Sequence, residues 1–379
     1  MSIFFITFFT LYSVLHAYVM LKAWYAFRFR FSTGCVIAAV FLIFLFAPVI
    51  VRFLENGGHE TTARLAAYAG YIWMGAVFFF FAVSLTLDIV RFFVYIFSLV
   101  IRSGMPGFFH SNLLFFLLPL AASVFVTAYG FFEAQNVRTE RIRIETNKLP
   151  AGIERLTIVQ VSDVHLGLVI REDRLKKIVQ AIREANPQIL VSTGDLVDGQ
   201  INDLNGLYEM LGGIKPRYGK FAIMGNHEFY AGTDVSLDFT QKAGFRMLRG
   251  ESVTIDEMIN IAGVDDIVSG RHGNDTYRQE RAALSGLSPG LFTVLLKHRP
   301  VVDPASARIF DLQLSGHTHN GQIFPFTYLT RIAFPMYAGL HKLDAGPLLY
   351  VSRGSGTWGP PIRFLSPPEV TVIEIVRTP

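Results

Sequence analysis

The hydrophobic pattern of the chain changes once, near residue 135. Before that point apolar residues dominate roughly 2–21, 34–51, 66–87 and 111–131, each close to the ~20 helical residues that cross a hydrocarbon core. After it the apolar runs become short, rich in β-branched residues, and alternate with helical patterns. This predicts four transmembrane helices in a domain over 1–135, a polar linker over 136–150 with a turn signal at NKLP, and an α/β domain over 151–379. Within the first domain, 66–101 reads as one span followed by an interfacial helix.

In the second domain each strand-like run ends in a polar residue. LTIVQV leads to Asp163, ILVST to Asp195, FAIM to Asn226, LFTVLL to His298 and FDLQLS to His317. The carboxyl ends of strands in an α/β sheet open onto a shared crevice, so these residues are expected to converge. Between the first two runs, residues 172–186 carry apolar side chains at 175, 178, 179 and 182, one face of a crossover helix.

Charge refines the membrane reading. No basic residue precedes the first apolar run, whereas Lys22, Arg28 and Arg30 follow it, so the chain starts with a retained span rather than a cleaved signal. Arg91 and Arg102 lie in the third loop, and the second loop balances Arg52 and Arg64 with Glu55 and Glu60. Positive-inside counting places the first and third loops in the cytoplasm and the α/β domain outside it. Asp88 and Arg91 are expected as an ion pair at the headgroup boundary, and His16 and Tyr18 as polar residues facing a neighbouring helix. The net charge of +4 is dispersed, so no nucleic-acid partner is expected. Cys35 is the single cysteine, which excludes an intrachain disulfide and a thiolate metal site.

The candidate chemistry is that of a metal centre. Asp163 and His165 stand at i and i+2, which in an extended strand end project to one side and grip one ion; His317 and His319 repeat the spacing. Asp195, after Gly194, is a carboxylate suited to bridge two cations about 3.5–4 Å apart, and Asn226 and His298 complete the second ion. An O/N donor set suits two divalent cations among Mn, Zn, Fe and Mg. Ser162, Ser192 and Ser315 precede the ligands inside strands and read as packing residues rather than nucleophiles.

The blocks DxH, GDxxD, GNH[DE], H and GHxH occur in that order between about 154 and 376, and with them the chain resembles the calcineurin-like metallophosphoesterases. The resemblance implies a two-sheet α/β sandwich with helices outside and a dinuclear site that hydrolyses phosphomonoesters or phosphodiesters. Carried over, one metal is held by Asp163, His165 and His319, the other by Asn226, His298 and His317, and Asp195 bridges them. His227 would protonate the leaving oxygen, with Asp198 fixing its tautomer. The tail SRGSGTWGPPIRFLSPPEV is similar to that of a membrane-attached bacterial subgroup. It reads as a loop with exposed arginines, and the alternative gives Arg353 or Arg363 a phosphate and Trp358 the headgroup region. Lys297 beside His298 is a candidate for holding an anionic substrate, while His272 and His341 read as solvated surface.

The function expected is that of a phosphoric ester hydrolase integral to a bacterial cell membrane, acting on a lipid-linked or membrane-proximal substrate. Its alternatives are a pyrophosphatase for an acylated sugar nucleotide and a nucleotide phosphodiesterase. A different class, a metal-binding sensor or scaffold on a four-helix membrane unit, is disfavoured because every ligand and the His227–Asp198 pair are present. Residues that bind the rest of the substrate are not identifiable from the motifs.

Overall fold

The computed structural model describes residues 2–199, 204, 206–266, 273–288 and 290–378. The chain divides into two compact units, Met1–Phe132 with Gly359–Ile362, and Glu133–Trp358 with Arg363–Pro379.

The first unit is helical: α1 (Ser2–Phe27), α2 (Phe31–Leu45), α3 (Ala47–Asn56), α4 (Glu60–Val100) and α5 (Leu114–Glu133). Three of these, α1, α4 and α5, are long and apolar enough to cross a membrane, or four spans if α2 and α3 count as one. The stretch expected as a single span over 34–51 is instead bent by 53° between α2 and α3. Pro48 is the cause, because its ring lacks the N–H an uninterrupted helix needs and collides with the carbonyl of the preceding turn. The 66–101 stretch differs in the opposite sense. It belongs to one 41-residue helix, about 60 Å long at 1.5 Å per residue, because no proline interrupts it.

The expected Asp88–Arg91 pair does not form. Asp88 accepts from Lys22 Nζ at 2.7 Å and from Tyr18 OH at 2.6 Å, while Arg91 donates to Asn112 Oδ1 at 3.1 Å. Each charge thus finds a better placed partner outside its own helix, Asp88 on α1 and Arg91 in the turn before α5. His16 Nε2 accepts from Trp73 Nε1 at 3.0 Å, so its proton sits on Nδ1, facing Tyr12 O at 2.8 Å.

Among the described residues the second unit has twelve strands: β1 (Arg138–Thr146), β2 (Arg155–Val161), β3 (Ile189–Ser192), β4 (Lys220–Ala222), β5 (Arg246–Met247), β6 (Glu251–Ile255), β7 (Ile259–Val264), β8 (Phe292–Lys297), β9 (Leu312–Ser315), β10 (Gly339–Lys342), β11 (Leu348–Val351) and β12 (Glu369–Arg377). They form two six-stranded sheets, ordered β1-β12-β2-β3-β4-β5 and β10-β11-β9-β8-β7-β6. Alternate side chains of both sheets meet in one apolar layer, with Ile158, Val191 and Ile373 from the first against Ile261, Val294 and Leu314 from the second. The opposite face of the first sheet packs Val159, Leu190 and Val372 on α6 (Glu172–Ala185), through Leu175, Ile178 and Ile182. Helices therefore lie outside a two-sheet sandwich, α6 being followed along the chain by α7 (Leu207–Gly212), α8 (Asn226–Ala231), α9 (Thr233–Lys242), α10 (Gly273–Ser285) and α11 (Phe326–Ala333).

The 136–150 segment, expected as a linker, contains β1, which pairs in parallel with β12 along its whole length. Its charged residues hid a period of two, in which Ile142 and Ile144 alternate with Arg141, Arg143 and Glu145. One buried isoleucine, Ile144, and an edge position explain why the remainder tolerates charge.

Candidate metal centre

Strands β2, β3 and β4 run parallel, as do β7, β8 and β9, so their carboxyl ends deliver residues toward common edges. The convergence does not come from the pleat, as the i, i+2 spacing predicts. Asp163 and His165 lie beyond the end of β2, at φ of 52° and 54°, and Asp195, His317 and His319 are likewise left-handed at 53°, 71° and 48°. Such backbone costs a non-glycine residue roughly 1–3 kcal/mol and persists where surrounding structure enforces it. Turns aim these side chains, and the alternation of a strand plays no part. Close packing supports the turns: a Cβ on Gly316 would stand 1.9 Å from Ser162 Oγ and 2.2 Å from Asp163 Oδ2.

Among the described residues the structure brings seven of the nine candidate residues together, in three overlapping groups. Asp163, His165 and His319 form one, Asp195, His298 and His317 another, and His165, Asp195 and His227 a third between them. His165 Nε2 lies 3.1 Å from His319 Nε2, and His298 Nε2 lies 3.2 Å from His317 Nδ1. Asp195 Oδ2 stands 3.1 Å from His298 Nε2 and 3.9 Å from His165 Nε2, so one oxygen faces both histidine pairs. Asp163 accepts the His317 N–H at 2.9 Å, and Asp195 Oδ1 accepts the His227 N–H at 2.9 Å. His227 Nδ1 meets Asp198 Oδ1 at 2.8 Å. Asn226 opens α8 (Asn226–Ala231) next to His227.

The electrostatics ask for cations. Burial holds His317 and His319 well below the ordinary histidine value, with the charges of His298 and Arg363 adding to the effect, and burial with His227 lowers His165 to about 4. Burial also works against charge on His298 and His227. There Asp195 outweighs it and lifts His298 to about 10, while the bond to Asp198 lifts His227 to about 9. Burial lifts Asp163 to about 6, whereas His298 overcomes burial and keeps Asp195 ionised well below its usual value. The positive charge that the carboxylates favour on His298 is of the kind a divalent cation would supply in such a donor set. Asn226 Oδ1 and His165 Nδ1 are buried without a hydrogen-bond partner. An oxygen and nitrogen cluster without thiolate, with an unused buried amide oxygen, fits hard to borderline divalent ions.

Other expectations are corrected. Lys297 is not available to a substrate: it forms a buried 2.6 Å ion pair with Glu280. Neither tail arginine is an exposed loop residue or a free anion ligand. Arg353 bonds Glu369 at 2.6 Å and also Glu140, and Arg363 is fully buried, donating to Gly356 O at 2.6 Å and Arg353 O at 2.7 Å, with Nη2 3.0 Å from His319 Nδ1. His341 is half-buried and contacts Ala338 O, and His272 lies outside the described residues. Ser162, Ser192 and Ser315 are buried behind the cluster.

Glu228 is a site residue that sequence reasoning passed over. Its carboxylate accepts from Gly225 N at 2.7 Å, Asp195 N at 2.9 Å, Leu196 N at 2.7 Å and Val197 N at 3.3 Å, tying the Asp195 turn to the Asn226 turn. Burial, then the charge on Asp195, raises its pKa to about 7. Yet these four bonds all come from N–H groups, an arrangement that fits the ionised carboxylate. The signal was present: Glu228 stands three residues after the N-cap Gly225, the N3 position from which a carboxylate reaches back to the N-cap N–H.

The pattern defining calcineurin-like phosphoesterases matches residues 156–321. The chain is 44% identical over 254 residues to an uncharacterized metallophosphoesterase of Aquifex aeolicus, across 67% of this chain and 97% of that protein. It is 32% identical over 273 residues to a transmembrane protein with metallophosphoesterase domain of Danio rerio, across 68% of this chain and 62% of that protein. It is also 32% identical over 270 residues to an uncharacterized metallophosphoesterase of Campylobacter jejuni, across 70% of each.

Proposed function

The chain belongs to the calcineurin-like phosphoesterases, and from that premise we propose that it is a membrane-anchored phosphoric ester hydrolase, dependent on two divalent cations, whose substrate is lipid-linked or membrane-proximal. The observation that carries the reading is the position of Asp195 Oδ2, within 3.1 Å of His298 Nε2 and 3.9 Å of His165 Nε2. Asp163, His165 and His319 would hold one cation and Asn226, His298 and His317 the other, with Asp195 shared between them. Such a pair, among Mn, Zn, Fe and Mg, supplies positive charge to the phosphoryl oxygens and makes water nucleophilic at neutral pH.

The chain's own residues manage the proton. His227 is held protonated by Asp198, which fixes Nδ1 as the donor toward the carboxylate and leaves Nε2 to protonate the departing oxygen. Asp163 and Asp195 brace the site by accepting from the backbone N–H groups of His317 and His227.

Anchoring is supported by three helices, or four spans with the bent pair, of suitable length and apolarity. Counted as four spans, with α2 and α3 as one, Arg28 and Arg30 before that pair and Arg102 after α4 favour cytoplasmic first and third loops, which leaves the catalytic domain outside the cytoplasm. The test is turnover of a chromogenic phosphodiester and its monoester by the full-length protein in detergent, with Mn²⁺ and with a chelator. Loss of turnover with chelator is expected; equal rates in both would reject the reading.

A further inference from the structure

The helix α11 (Phe326–Ala333) follows directly on the His317–His319 ligand turn and has no buried residue. It is strapped to that turn at both ends. Thr327 Oγ1 donates to Asn320 O at 3.1 Å before it, and after it the Phe334 ring lies 5.3 Å from His317 while Thr318 Oγ1 donates to Tyr337 O at 2.6 Å. At 100° per residue, Tyr328, Leu329 and Ile332 fall within about 100° of the helix circumference, opposite Thr327. All three are exposed, Ile332 by 80%.

Two further exposed apolar residues join the same rim. Trp358 exchanges two hydrogen bonds with Gln322, at 2.8 and 2.9 Å, and its ring lies 5.8 Å from His227. Leu365 is 61% exposed and held at a left-handed φ of 57°, next to the Phe364 backbone that pairs with Gln322 and Phe324. An eight-residue helix that exposes its apolar face, and a leucine kept outward by costly backbone, need an apolar occupant.

Charge and connectivity identify it. Between Asp311 and Glu369 the chain has one acidic residue, Asp344, while Arg331 and Lys342 are exposed on these segments. The last apolar helix, α5, ends at Glu133 and β1 begins at Arg138, a connector spanning at most about 17 Å. A bilayer holding α5 is thus close to the domain. We propose that α11, with Trp358 and Leu365, inserts into the headgroup layer of an anionic bilayer and presents the metal centre to phosphoesters carried there. This deepens, and rests on, the membrane-anchored reading above.

The test uses the full-length chain with Cys35→Ser and a fluorescent label on Ile332→Cys, reconstituted into phosphatidylglycerol-containing vesicles with nitroxide lipids. A label on Lys176→Cys, exposed on α6, is the control. Quenching at 332 several-fold above that at 176, weakening in phosphatidylcholine alone, is expected. Equal quenching at the two positions, or a label at 332 that cross-links to a second copy instead, overturns the proposal. In parallel, L329D/I332D should lower turnover of a vesicle-borne phosphodiester relative to a soluble one at least tenfold, and an unchanged ratio also overturns it. Quenching at 332 in a chain that hydrolyses neither substrate would reject the hydrolase reading and keep the bilayer contact; hydrolysis without quenching would do the reverse.

Discussion

Replacing Glu228 by glutamine tests whether the ligand turns are held from below. In the parent, Oε2 accepts from Asp195 N and Gly225 N, and Oε1 from Leu196 N and Val197 N. The amide places an NH₂ donor where one of those oxygens was, so two buried N–H groups lose their acceptor. At about 1–3 kcal/mol for each stranded donor the loss is roughly 2–6 kcal/mol, with about 4 kcal/mol as the central figure. For a domain of this size that lowers Tm by about 8–16 °C. The same change loosens the Asp195 turn, so Mn²⁺ affinity falls at least about tenfold, the 1.4 kcal/mol expected of one weakened support. Thermal melts of the full-length protein in detergent, followed by fluorescence, and a metal titration read the two effects. A variant melting within about 2 °C of the parent, with equal metal affinity, would refute the role given to this carboxylate.

Asp198→Asn removes the partner that lifts His227 to about 9. Activity that needs the protonated imidazole is present below its pKa and lost as pH rises through it, so the alkaline limb of the rate profile moves to lower pH in the variant. Bound cations lower the limb in both proteins without changing that sign; coincident profiles would count against His227 as proton donor. Lys297→Met leaves Glu280 buried without its partner and should cost about 3–5 kcal/mol, whereas K297M/E280L recovers more than half of the loss. A KM effect without a stability effect would return Lys297 to the substrate. Protease added outside intact cells should clip the catalytic domain; its survival while a known external protein is cut would reverse the orientation.

The legible parts of the molecule were those written in local pattern. The apolar face at 175, 178, 179 and 182 became α6, and the five short runs became β2, β3, β4, β8 and β9. What escaped depended on tertiary partners. β1 looked like a connector because an edge strand needs few apolar residues. Asp88 chose Lys22 on another helix over Arg91 on its own, and Lys297 chose Glu280 over a substrate. The positions that cluster were legible from residue type and order, but their means of convergence was not: left-handed backbone at Asp163, His165, Asp195, His317 and His319 has no signature in these side chains. Arg363, with guanidinium bonds to backbone oxygens of Gly356 and Arg353, shows the same limit, since only the fold decides whether an arginine in a Gly/Pro-rich tail is surface or core.

Two cations acting together around Asp195 would each be needed for turnover. The most direct measurement loads metal-free full-length protein with Mn²⁺ in steps and follows bound metal per chain alongside phosphodiester turnover, for the parent and Asp195→Asn. Turnover should rise until two equivalents are bound, and the variant should bind metal weakly and turn over at least a hundredfold more slowly, about 2.7 kcal/mol. Full turnover at one equivalent or none, or an Asp195→Asn protein as active as its parent, would contradict it.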